Sequence, residues 1–154
     1  ICGRRDGLIV SSTRLVNFSP ISDDVKRRHK ACMEVDATFI TNTTVGANVD
    51  EVFQKALDTY EEHGFGEEWK LHHQGGGTGY ETRDFKGTLH SKESVQSWQA
   101  YAWNPSITGT KSEDTIIATP DGPEIISLSK DWPSVTFNAP ADGAPIVRAD
   151  ILQR

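Results

Sequence analysis

The residues with the most chemistry in a short span are those of "HHQGGGTGYE", His72 to Glu81. Two adjacent histidines before a glycine run suggest a metal site or a phosphate cradle, because imidazole nitrogens bind transition metals and glycine-rich turns aim backbone N–H groups at anions. The phosphate reading is weak. A P-loop continues into Lys-Ser/Thr at a helix start, whereas here the run continues into Tyr80 and Glu81. Two cysteines, Cys2 and Cys32, form no Cys-x-x-Cys and have no histidine at zinc-ligand spacing, which fits a reduced, cytoplasmic setting.

Composition narrows the partners. The 154 residues carry a formal net charge of −6, with 36% hydrophobic and 25% charged residues, so there is no cationic excess to neutralise a phosphate backbone and no nucleic-acid partner is expected. The basic run Lys26-Arg27-Arg28 reads as a solvated helix face. No apolar run approaches the roughly 18 residues of a membrane span, and the N-terminus lacks the pattern of a signal peptide. The chain opens on Ile-Cys-Gly within a strand-like stretch, which reads as a piece of something longer.

The elements that position these residues follow from periodicity. "GLIVSSTRLVNF", residues 7–18, reads as one strand closed by Ser19-Pro20. Ser22 caps a helix to about residue 41 with Asp23 and Asp24 in its first turn and Val25, Cys32, Val35 and Phe39 on its apolar face. Asn48 caps a second helix, residues 49–63, whose apolar face is Val49, Val52, Phe53, Ala56, Leu57 and Tyr60 and whose stop is His63-Gly64. Beyond Phe65 the helical period vanishes. The glycine run reads as a turn, and "VQSWQAYAWNPSI", "TKSEDTIIATPDG" and "PEIISLS" read as three strands joined by Pro and Gly turns. The tail after Trp132 reads as an extended strand plus a loosely held terminus. The sum is one α+β domain over residues 1–154, with helices on one face of a mostly antiparallel sheet.

Five segments in order, "GLIVSSTR", "TVGANVDEVFQKALDTYEEHGFG", "HHQGGGTGYETRD", "AWNPSI" and "TKSEDTIIATPDG", resemble the creatinase, aminopeptidase P and methionine aminopeptidase family. The resemblance implies a partial pita-bread fold, a curved antiparallel sheet with helices on its outer face, Xaa-Pro dipeptidase-like and lacking the N-terminal part of that domain. It also implies a dimetal centre held by aspartates, a histidine and glutamates, since two close dications need bridging carboxylates. This chain departs from that pattern at most checkable positions. Ser11 stands for one aspartate and Gly76 for the ligand histidine, while Arg83 stands for a later substrate-side histidine; Asn104 replaces a glutamate and only Glu113 keeps a bridging position. The other aspartate falls at or before Ile1. His72 matches a residue that contacts substrate in the aminopeptidase P branch.

No metal and no other cofactor is therefore expected. The resemblance leaves a repurposed pocket lined by Arg14, His72, His73, Arg83, Asn104 and Glu113, suited to a small carboxylate or peptide ligand, in a chain that could pair as a homodimer. The alternative is a working hydrolase of a different kind, with His72 as general base, Glu113 orienting it, and Cys2 or Ser11 as nucleophile.

Overall fold

The computed structural model describes residues 1–138 and 145–154. Its helices form where period and caps agree. In α1 (Asp23–Asn42) the Ser22 hydroxyl accepts from the Val25 N–H at 3.3 Å, and Asp23 and Asp24 sit where the helix dipole favours acids. In α2 (Val49–Glu62) Val49, Val52, Phe53, Ala56 and Tyr60 are buried, and Gly64 follows at φ +75°, as a helix stop requires. Asn48 does not cap α2 with its side chain; its amide donates to Glu51 instead.

The strands in chain order are β1 (Cys2–Arg5), β2 (Leu8–Ser11), β3 (Val16–Asn17), β4 (Gly75–Thr78), β5 (Gln99–Trp103), β6 (Ser106–Ile107), β7 (Thr110–Lys111), β8 (Asp114–Thr119), β9 (Gly122–Ile125), β10 (Ser134–Phe137), β11 (Ile146–Ala149) and β12 (Leu152–Gln153). The main sheet is antiparallel in the order β4-β5-β8-β9. Side chains alternate across it. Tyr101, Trp103, Ile116 and Ala118 meet the helices, with the Trp103 ring stacked on Phe39 at 4.4 Å and its indole N–H donating to Thr43 Oγ1 at 2.9 Å. Ala102, Asn104, Glu113 and Thr115 fall on the alternate positions, and Thr115 Oγ1 bonds the backbone of Ser11 in β2. This is an α+β fold with its helices on one face of the sheet.

Other sequence expectations also change. Residues 7–18 are not one strand: β2 pairs with β1 in a hairpin turned at Asp6-Gly7, both at positive φ, and β3 is separate. The glycine run is a strand, β4, rather than a turn. The tail is anchored, because β10 and β11 pair, β12 runs parallel to β3, and Arg148 is fully buried. The "APADGA" part of that tail, residues 139–144, lies outside the described residues. Among the described residues no helix is long and apolar enough to cross a membrane.

Candidate ligand site

The glycines of β4 exist for close approach. A Cβ on Gly75 would stand 2.7 Å from Trp103 Cα and closer still to Ala102 O; one on Gly76 would stand 2.8 Å from Gly87 N, 3.0 Å from Lys86 Cα and closer still to Phe85 O. Both residues also lie at positive φ, +106° and +148°. β4 is thus clasped between β5 and residues 84–87, with Asp84 N–H donating to Gly77 O and Gly87 N–H to Gly75 O. Just before it, the buried Gln74 accepts from the Tyr60 hydroxyl at 2.9 Å and donates to Trp69 O and His72 O, fixing the loop that carries the two histidines. His72 and His73 stack with ring centroids 4.6 Å apart.

Glu113 is the centre of charge. Its Oε1 pairs with Arg83 Nη2 at 3.3 Å, and its Oε2 receives the Thr13 hydroxyl at 2.7 Å and Lys111 Nζ at 3.4 Å. Two cations on one carboxylate leave the cluster with surplus positive charge. Burial lowers the pKa of His72 and His73; for His72 the charge of Lys111 adds to the effect, and for His73 that of its neighbour His72 and of Arg83 does so. Both rings are accordingly neutral at pH 7. Three polar atoms here are buried without a hydrogen-bond partner: His72 Nδ1, Arg83 Nε and Asn104 Oδ1. Asn104 is 3% exposed and its backbone N–H is tied to Gln74 O.

No protein-family model matches the chain, and no curated protein does. Solved structures do. An Xaa-Pro dipeptidase from Bacillus anthracis superposes with a TM-score of 0.71 at 26% identity, over 80% of this chain and 36% of its own. An X-Pro aminopeptidase from Thermotoga maritima gives 0.76 at 17% identity over 99% of this chain and 40% of its own. This chain has the pita-bread fold of the Xaa-Pro peptidases. It spans 36% and 40% of those two chains, and its match lies in the C-terminal part of the pita-bread domain. The N-terminal domain of SPT16, a FACT complex subunit from chickpea, also superposes, at a TM-score of 0.67 and 12% identity over 80% of this chain. The same fold thus occurs in a FACT complex subunit.

The dimetal centre implied by that resemblance does not fit these residues. Gly76 offers no donor and has no room for a side chain, Ser11 is fully buried with its hydroxyl against Cys2 Sγ, and Glu113 is already held by Arg83, Lys111 and Thr13. Among the described residues no three His, Cys, Asp or Glu side chains gather as a metal site. The metal-free hydrolase also lacks its contacts: Cys2 Sγ lies 3.1 Å from Ser11 Oγ, and no described hydrogen bond joins either of them, or Glu113, to a histidine.

Arg14 is placed differently from expectation. Its guanidinium donates to Asp114 Oδ1 and to Ser127 O, both at 2.8 Å, so it is tied into the protein rather than free for a ligand. It joins a buried network that sequence reasoning missed, in which Arg148 bridges Asp36 and Asp114, the latter at 2.9 Å, and Ser112 donates to Asp36. Lys111 and Gln74 were missed as well. Lys111 sits two residues from Glu113 at the end of β7, a spacing that places both on one side of an extended segment.

Proposed function

We propose that this chain is a peptidase-like domain that binds a small carboxylate, or the C-terminal carboxylate of a peptide, without hydrolysing it. The observation that carries the reading is the set of buried, unpartnered polar atoms on His72, Arg83 and Asn104 beside a carboxylate already neutralised twice over. Leaving such atoms without partners costs about 1–3 kcal/mol each, and an incoming anion removes that cost. Arg83 Nε–H can donate, His72 Nδ1 can donate as the Nδ1–H tautomer, and rotation of the Asn104 amide presents an N–H in place of its oxygen. Arg14 orients Asp114 and supports the wall.

Calorimetric titration with acetate and with an Xaa-Pro dipeptide, alongside a hydrolysis assay with and without Mn²⁺, tests the reading. Saturable binding with no turnover supports it. Turnover of the dipeptide, or no binding of either compound, overturns it. Both cysteines are unpaired, Cys32 buried and Cys2 exposed, which supports a reducing, cytoplasmic setting.

A further inference from the structure

Next to the histidine pair lies a cleft of about 470 Å³ that the carboxylate site does not use. Its walls are apolar. Phe53 from α2 and Trp69 from the 3₁₀ turn Glu68–Leu71 meet edge to face, with centroids 5.9 Å apart, giving a fixed aromatic floor. Leu71 and Leu89 line the opening and remain 72% and 36% exposed, so their apolar surface is uncovered. His72 and His73 form the end of the cleft, and the same two rings feel the charges of Arg83 and Lys111. No Asp or Glu lines it. Lys86, also in the lining, makes no ion pair among the described residues.

We infer that the ligand is an amphiphilic carboxylate, its anionic group beside Arg83 and His72 and an aromatic or branched aliphatic body in the cleft between Trp69 and Leu89. This rests on the carboxylate reading and adds the chemical class of the rest of the ligand. Charge complementarity selects the occupant: a largely apolar wall whose lining holds Lys70 and Lys86 and no carboxylate, with Glu113 nearby already paired to Arg83 and Lys111, favours an apolar body bearing negative charge. Pre-formed aromatic walls lose little freedom on binding, so the apolar body adds affinity at small entropic cost.

The test is calorimetry on the 154-residue chain with three probes: acetate, 3-phenylpropionate and the neutral 3-phenylpropionamide. The aromatic acid should bind at least tenfold more tightly than acetate and tenfold more tightly than the amide. Leu89→Asp should bring 3-phenylpropionate down to the affinity of acetate. Leu71→Asp should act in the same direction, and because both leucines are partly exposed these variants leave the core intact, which a thermal melt checks. Equal affinity for acetate and 3-phenylpropionate would overturn the apolar-body inference while leaving the carboxylate reading standing. Equal affinity for the acid and its amide would overturn the carboxylate reading, and absence of binding by all three would overturn both.

Discussion

At the scale of single residues, Gly76 and Arg83 set the packing and the charge of the candidate site. Gly76 cannot simply be restored: a histidine there would drive its Cβ into the backbone of residues 85–87 and hold a strained φ of +148°. Gly76→His should therefore lower stability by roughly 3 kcal/mol, read as a lower urea midpoint, and should bring no Mn²⁺ binding. An unchanged midpoint would mean that the clasp around β4 yields. Arg83→Ala removes a charged donor and leaves Glu113 with Lys111 and Thr13. We expect a loss of about 2–3 kcal/mol in carboxylate binding by calorimetry, with partial recovery in Arg83→Lys, whose single ammonium keeps charge but not the fork of donors. His72 adds a pH signature. Its pKa is held down by burial and by the charges of Lys111 and Arg83, and a bound anion offsets those charges, so binding should take up a proton and tighten as pH falls into the range where His72 titrates. His72→Gln should flatten that dependence. The sequence pointed to these residues because two histidines and a glycine run are conspicuous, yet it misassigned the glycines. A glycine's usual local meaning is a turn, and the close passage of residues 84–87, which is the reason here, leaves no local signal.

Elements divide the same way. α1 and α2 were legible nearly to the residue because a 3.6-residue apolar repeat, the Ser22 cap and the Gly64 stop are all local. The anchoring of β11 was not legible, since it depends on Arg148 meeting Asp36, 112 residues away in the chain, and Asp114 on β8, and no spacing rule reports such a pair. Pro and Gly around it suggested only a loose terminus. Arg148 is the keystone between α1 and the sheet, and removing it leaves the buried Asp36 without its ion-pair partner while Asp114 keeps Arg14. Arg148→Met should cost about 3–5 kcal/mol at pH 8 by urea denaturation. The cost should shrink at pH 5. Burial pushes the Asp36 pKa up to about 6 from its ordinary 3.8, so the folded state holds that proton more tightly than the unfolded chain. The stabilisation from protonating Asp36 is complete below about 3.8 and is lost as pH rises through about 6, and without Arg148 the folded pKa climbs further. A variant equally destabilised at both pH values would show that Asp36 does not titrate in this window.

For the whole molecule, the fold is that of the Xaa-Pro peptidases, and the charge at its centre is a carboxylate held by two cations. Adjacent residues at the start of β8 face opposite ways: Asp114 feeds the buried network that ties α1, β8 and β11 together, and Glu113 feeds the ligand site. The collinear segments made the architecture readable from sequence. What surrounds Glu113 was not: Arg83 and Lys111 supply there positive charge of the kind that the resemblance assigns to metal ions. This gives a test on the intact chain. A dication bound to the native state at 100 times its Kd stabilises by about 2.7 kcal/mol, which for a chain of this size raises Tm by roughly 5–10 °C. Addition of Mn²⁺ should instead leave Tm within about 1 °C, because a dication approaching Glu113 must displace two cations, and among the described residues no three His, Cys, Asp or Glu side chains gather to hold it. Raising Mn²⁺ further should add no specific shift, since the opposing term is the fixed charge of Arg83 and Lys111 rather than a shortage of metal. A saturable rise of several degrees that vanishes in Glu113→Gln would show that the arginine and lysine give way and that the metal centre survives.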